Sequence, residues 1–253
     1  MIDKIYNEDC LEGMKRIPDG AVDFILTDLP FGITDCEFDV RIPFDPMWEQ
    51  FKRVTKGNAA IALFSQMPFG SDLIQSNRKM FRYEWIWQKT VRNGFLNAHK
   101  MPLKSHENIL IFYRKLPTYN PQKWKSTPYS RKFSTKSINY SKGGWKEGYV
   151  TESPNGDRMP IDVIKFNSDR VLWGKGRMYH PTQKPTDLLE YLIKMYSNEG
   201  ELVLDATIGS GSTAVACIRT NRHFIGFETE ERFYDIANER ITKAQAEKQQ
   251  ALF

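Results

Sequence analysis

ELVLDATIGSGST, residues Glu201–Thr213, reads as a buried strand that runs into an acid, a glycine-rich turn and the start of a helix. The strand ends at Asp205, and Ala206, Thr207, Ile208, Gly209, Ser210 and Gly211 follow it. Small residues let the backbone come close to a ligand, and glycine also permits positive φ. The next stretch, GSTAVACIRT, has helical character and would present free backbone N–H groups at its N-terminus. RHFIGFE then reads as a second strand ending at Glu228, nineteen residues after Gly209. An acid there can accept both hydroxyls of a ribose. Strand, glycine turn, helix, strand and distal acid predict an α/β fold that binds a nucleoside-containing cofactor.

Two cofactors compete for this turn. From Gly209 the sequence is GSGSTA, and the dinucleotide fingerprint allows Ala214 at its sixth position, so NAD is one reading. Asp205 would repel a pyrophosphate but suits a zwitterionic or cationic cofactor, which favours S-adenosylmethionine.

Far upstream stands a second strand end, FILTDLPFG, Phe24–Gly32. AVDFILTD is near-continuously apolar before its turn, as a buried parallel strand is. KIYNEDC predicts an earlier strand ending near Asp9, and AAIALFS, Ala59–Ser65, another core strand. PFDPMWEQFKRVTK reads as a helix with Pro46 near its first turn, and FGSDLIQSNRKM as a further helix. FRYEWIWQK, Phe81–Lys89, and NILIFYRK, Asn108–Lys115, are expected to pair across the intervening loop. Trp85 and Trp87 on one strand face would line a pocket or pack the sheet, and the sequence favours neither. PTDLLEYLIKMYS is a helix whose core stripe is Leu188, Leu189, Leu192, Ile193 and Met195. ERFYDIANERITKAQAEK is the last helix.

The character changes at Leu116. Residues 115–184 carry fourteen Lys or Arg against five Asp or Glu, on a chain of 253 residues whose net charge is +5. The stretch from Leu116 is rich in Pro, Gly, Ser and Lys and interleaves Tyr119, Trp124, Tyr129, Phe133, Tyr140, Trp145 and Tyr149 with basic residues. Positive charge tracks phosphates, and rings stack on or wedge between bases. An insertion that contacts duplex DNA is therefore expected, against a plainer reading as a decoration packed on its own domain. Hydrophobic content of 40% supports a full core, and no window is long and apolar enough to span a membrane. Cys10, Cys36 and Cys217 lack metal-ligand spacing and fit a reduced cytoplasmic compartment. His99, His106, His180 and His223 form no metal motif, so no metal is expected.

On these residues the chain resembles the amino-methylating DNA methyltransferases, which act on adenine N6 or cytosine N4. TDLPFG is similar to their (D/N/S)PP(Y/F) motif, aligned as Asp28, Leu29, Pro30 and Phe31. DATIGSGST is similar to their cofactor motif, DPF-x-GSG-T, and HPTQKP, His180–Pro185, to the segment that precedes it in one subgroup. Leu29 stands where the first proline is usual, and Ala206, Thr207 and Ile208 where Pro-Phe and one variable residue are usual. Catalytic motif first and cofactor motif last is the order of the β group.

The resemblance implies a three-layer Rossmann-like S-adenosylmethionine-dependent fold, with a mostly parallel seven-stranded sheet and one antiparallel strand. It implies residues 1–115 as a catalytic half, 116–179 as a target-recognition insertion and 180–253 as a cofactor-binding half. Asp28, Leu29, Pro30 and Phe31 would be catalytic. Asp9, Thr182, Lys184, Asp205, Thr207, Gly209, Ser210, Gly211, Thr213 and Glu228 would hold S-adenosylmethionine, with S-adenosylhomocysteine as product. Lys89, Arg92, Lys123, Lys125, Arg131, Lys132, Lys136, Lys142 and Lys146 would contact double-stranded DNA. An aspartate at the first motif position points to adenine N6, with cytosine N4 or an inactive DNA-binding relative as alternatives. A homodimer and a restriction endonuclease partner are further expectations that the resemblance raises.

Overall fold

A computed structural model describes residues 1–32, 39–132, 150–167 and 183–250. The chain forms two compact units, Met1–Asn120 with Asp162–Phe253, and Pro121–Ile161.

The larger unit is a twisted sheet with helices on both faces. In chain order its strands are β1 (Lys4–Asn7), β2 (Val22–Thr27), β3 (Thr55–Ser65), β4 (Phe81–Asn93) and β5 (Lys104–Phe112). The smaller unit holds β6 (Trp124–Lys125), β7 (Tyr129–Lys132), β8 (Val150–Ser153) and β9 (Asp157–Arg158). Then come β10 (Val163–Phe166), β11 (Leu202–Asp205) and β12 (His223–Glu228) of the large sheet. The helices are α1 (Cys10–Met14), α2 (Phe44–Val54), α3 (Phe69–Ser76), α4 (Thr186–Tyr196), α5 (Ser212–Arg219) and α6 (Glu231–Gln250).

The spatial order is β1-β12-β11-β2-β3-β5-β4-β10. Every described pairing in it is parallel except those of β5, which runs against both β3 and β4. The expected single antiparallel strand is thus β5, but among the described residues the sheet has eight strands rather than seven. The eighth is β10, which adds in parallel to β4 with Ile164 opposite Trp87. An edge strand leaves a row of unpaired backbone groups; here the Ile86 N–H donates to the Asp162 carbonyl at 2.7 Å, and Trp87 Nε1–H donates to the Phe166 carbonyl at 3.1 Å. The stretch 116–179 therefore includes a strand of the large sheet as well as the smaller unit.

Alternation along the buried strands supplies both faces of the sheet with apolar side chains. Phe24 and Leu26 of β2 pack with residues of α4, α5 and α6, whereas Ile25 packs with residues of α1, α2 and α3. Leu188, Leu189, Leu192, Ile193 and Met195 of α4 are all buried, as their spacing predicts. Trp85 and Trp87 belong to the core as well. Trp85 Nε1–H donates to the Tyr196 hydroxyl at 2.6 Å, and neither ring lines the cavity described below.

The smaller unit, taken by itself, consists of two antiparallel ribbons, β6 with β9 and β7 with β8. Gly156 makes its tight turn at φ 73°, where an added Cβ would meet the Ser126 carbonyl oxygen at 2.0 Å. The Arg158 guanidinium lies 4.5 Å from the centre of the Tyr129 ring.

Candidate active site

Neighbouring strands β11 and β2 send their chains to opposite faces of the sheet, β11 into α5 and β2 towards α2. At such a point the carboxyl ends of the strands leave a crevice. A cavity of about 510 Å³ occupies it, within the range of small-molecule sites. Asp9, Asp28, Glu107, Asp205 and Glu228 all line it, together with Lys184.

One wall is the glycine turn. Gly209 and Gly211 have φ of 54° and 80°, and a Cβ on Gly211 would lie 2.9 Å from Ala237 Cβ of α6. The loop thus needs glycine twice over, for conformation and for close packing. Asp205 braces the turn from below. Its Oδ1 accepts from the Thr207 N–H at 3.1 Å and its Oδ2 from the Thr213 hydroxyl at 2.6 Å. Burial pushes this carboxyl up to about 6, against the pull of the Thr213 hydrogen bond. Both oxygens serve the fold of the loop, so the side chain expected to meet the cofactor shapes the loop that would meet it.

Arg240 of α6 braces the same turn from outside, donating to the Ser210 carbonyl, to the Ser210 hydroxyl at 2.9 Å and to the Ser212 hydroxyl at 3.1 Å. Sequence reading misses Arg240 because nothing local marks one arginine of a charged helix. Ser210 also donates to the Gln183 side-chain oxygen at 3.2 Å.

Glu228 is half-buried at the end of β12, and its Oε1 accepts from the Glu230 N–H at 2.9 Å. Burial raises its pKa, while the backbone N–H groups of Glu230, Gly209 and Thr229 work the other way. Asp9 caps α1: its Oδ1 accepts from the N–H groups of Leu11 at 2.8 Å and Glu12 at 3.2 Å. That geometry fixes the loop after β1 at the cavity's edge.

The other wall begins with Asp28, directly after β2. Its backbone carbonyl accepts from the Thr207 hydroxyl at 2.9 Å, and the Thr207 and Thr27 hydroxyls lie 2.8 Å apart. The glycine turn and the Asp28 loop are therefore tied at one atom. Leu29 is 4% exposed and packs in the core with Met47, Phe51 and Phe69, which accounts for an apolar side chain where the motif usually has proline. The Phe31 ring packs on Phe69 with centroids 4.9 Å apart. The Arg41 Nε–H donates to the Phe31 carbonyl at 2.7 Å.

Behind Asp28 lies a chain of alternating charges. Lys184 donates to Asp28 Oδ2 and stands 3.4 Å from Glu107 Oε2, and Lys89 pairs with Glu107 Oε1. Gln66 Nε2 donates to Glu107 Oε1 at 3.3 Å. The side chains of Lys184 and Glu107 are only 9% and 6% exposed. Burial alone would lower Lys184, but the carboxylates of Asp28 and Glu107 more than reverse it, so the ammonium stays charged. Burial would raise Glu107, and the ammonium groups of Lys184 and Lys89 carry it below the ordinary glutamate range. Asp28 is pushed up by burial and by Glu107, against Lys184 and Lys89. Its Oδ1 is buried and has no hydrogen-bond partner among the described residues.

The structure brings Asp28, Leu29, Pro30, Phe31, Asp9, Lys184, Asp205, Thr207, Gly209, Ser210, Thr213 and Glu228 to one cavity, with Gly211 at its back. Lys184, expected to hold the cofactor, has its ammonium on Asp28. Lys89, expected on DNA, is 11% exposed and faces Glu107. Arg92, Lys123, Lys125, Arg131 and Lys132 are exposed, and Lys125 pairs with Asp157 at 2.6 Å. Thr182, His180, Lys136, Lys142 and Lys146 lie outside the described residues, as does Cys36. Among the described residues no group of His, Cys, Asp and Glu is placed to hold a metal ion, and no helix is long and apolar enough to cross a membrane.

Fold and site together set an acidic crevice at the carboxyl ends of a Rossmann-like sheet. The chain belongs to the amino-methylating DNA methyltransferases: the sequence profile of that DNA methylase family matches residues 22–239. It is 28% identical to the type II methyltransferase M.HpaI of Haemophilus parainfluenzae over 95% of this chain and 74% of the relative. It is 30% identical to M.BglII of Bacillus subtilis over 93% of this chain and 68% of the relative. Among solved structures, M1.HpyAVI in complex with SAM superimposes with a TM-score of 0.62 at 22% identity, covering 94% of this chain and 98% of that one. The cytosine-N4-specific PvuII DNA methyltransferase gives 0.67 at 14%, covering 96% and 91%. At these identities the two structures bear on the fold.

Proposed function

We propose that this protein transfers a methyl group from S-adenosylmethionine to N6 of adenine in duplex DNA, releasing S-adenosylhomocysteine and, from the amine, one proton. One observation carries the reading: Asp28 lines the cavity with Oδ2 held by Lys184 and Oδ1 without a partner among the described residues. A buried carboxylate oxygen left open is costly unless a ligand donates to it. An exocyclic amine offers that hydrogen, and the Leu29 carbonyl is the second acceptor on the same loop.

The residues present fit the methyl donor. Glu228 suits a ribose, the glycine turn allows close approach, and the acidic surroundings suit a sulfonium. When bound, that group supplies an electrophilic methyl. The chain's own residues do the rest. Asp28 and Leu29 orient the amine nitrogen and stabilise the positive charge that grows on it. Lys184 holds Asp28 in place and favours its ionised form. Phe31, backed by Phe69, offers a ring against a base drawn out of the helix. Aspartate at the first motif position supports adenine, by resemblance alone.

Residues 116–179 are the proposed target-recognition region, with Arg92, Lys123, Lys125, Arg131, Lys132, Lys136, Lys142 and Lys146 against the phosphates. The exposed basic ribbons of the smaller unit support this. A cytoplasmic location, a homodimer and a restriction endonuclease partner complete the proposal; the free thiols Cys10 and Cys217 fit the first.

The test is incubation with labelled methyl donor and duplex DNA of mixed sequence, followed by hydrolysis to nucleosides. N6-methyladenine is expected. N4-methylcytosine would replace the base assignment, and no product would overturn the activity. Asp28→Ala should abolish turnover with donor affinity nearly unchanged, because the lost interaction belongs to the transferring amine.

A further inference from the structure

We infer that the tip of the β4–β5 hairpin, Phe95 and Leu96, is a wedge that enters the DNA base stack beside the nucleotide being modified. The inference rests on the DNA-modifying reading above and adds the element that opens the duplex.

β4 runs parallel to β2 through the sheet order, so Asn93 and Asp28 leave the sheet on the same edge. Within the hairpin Trp87 stands opposite Glu107, which lines the cavity. The hairpin continues past that pair by three residues on β5 and six on β4, about 10–20 Å of extended chain. Between Gln88 and Asn93 the register shifts, because β4 carries extra residues, and a bulge of that kind re-aims the chain. Gly94 turns it at φ 93° and a single 3-10 turn, Phe95–Asn97, forms the tip.

The tip is apolar and in water. Leu96 is 100% exposed, Phe95 66% and Met101 58%. Single exposed apolar residues are ordinary, but three on one loop mark a contact surface. The charge around them names the partner: residues 85–106 contain no Asp or Glu, and Arg92 and Lys100 are exposed on either side of the rings. A protein partner's apolar patch would not need that flanking charge. A nucleic acid does, since cations meet phosphates while apolar side chains part base steps. Taking a base out of the stack leaves a gap, and a side chain that fills it lowers the cost of extrusion.

The test compares the parent chain with one carrying Phe95→Ala and Leu96→Ala. Both positions are exposed, so the thermal midpoint and the methyl-donor affinity by calorimetry should match the parent. Duplex affinity and methyl transfer to duplex DNA should each fall by about tenfold, the scale of one stacking side chain. The slope of affinity against salt should stay the same, because no charge is removed. Leu96→Trp should show indole fluorescence quenched on adding duplex DNA. Affinity and transfer within twofold of the parent would overturn the wedge. So would a change in sedimentation caused by Phe95→Ala and Leu96→Ala, which would assign the tip to a second copy of this chain. If the parent neither binds nor methylates DNA, the functional reading falls as well, and that failure is visible before any variant is made.

Discussion

Replacing Lys184 with Met would leave Asp28 and Glu107 without the cation between them. The 3.4 Å contact to Glu107 alone corresponds to about 5 kcal/mol of attraction at an effective dielectric near 20, before desolvation. Breaking a buried pair by removing one partner costs about 3–5 kcal/mol, most of it the charge left behind. Lys184→Met should therefore lose that much stability in urea unfolding at neutral pH. The sign of the pH dependence follows from the carboxylates. With the ammonium gone both pKa values move up, protonation removes the uncompensated charge, and the deficit shrinks as pH falls. Activity should show the opposite trend. If ionised Asp28 accepts the amine hydrogen, the variant's rate should rise with pH through a higher inflection than the parent's. Adding Glu107→Gln removes one negative charge and restores the balance with Lys89. The double variant should then regain stability, with a coupling above about 1 kcal/mol in a double-mutant cycle. Additive losses, or a Lys184→Met protein whose stability and pH–rate profile match the parent's, would refute the claim that this chain of charges sets the state of Asp28.

Three further outcomes can be checked. Thr207→Val keeps the shape but removes the hydroxyl shared by Thr27 and the Asp28 carbonyl; it should cost about 1–3 kcal/mol in unfolding and lower kcat more than donor affinity. Asp205, with a folded pKa of about 6 against 3.8, contributes stability below pH 4 that is lost as pH rises through 6. Unfolding of Asp205→Asn across that window should lack this component, about 3 kcal/mol for two pH units. Glu228→Gln should weaken methyl-donor binding in calorimetry by about 1–3 kcal/mol, the range for a buried polar partner left unpaired.

The sequence by itself determined seven strands of the large sheet, its longer helices and the two loops that matter. Continuous apolar runs, the stripe of α4 and the glycines after Asp205 are local signals, set by the period of the backbone and by φ angles only glycine takes freely. Motif order then placed Asp28 and Asp205 in one crevice, because parallel strands leave their carboxyl ends together. Tertiary structure decided what those side chains do there. Lys184 lies 156 residues from Asp28 in the chain, and Arg240 thirty from Ser210; no local pattern encodes such pairs, because side-chain contacts between distant segments exist only once the sheet has formed. The same holds for Trp85 and Trp87, which the sheet and Tyr196 bury. β10 is the clearest case, since four residues with modest alternation become a strand only because the edge of β4 offers unpaired backbone groups.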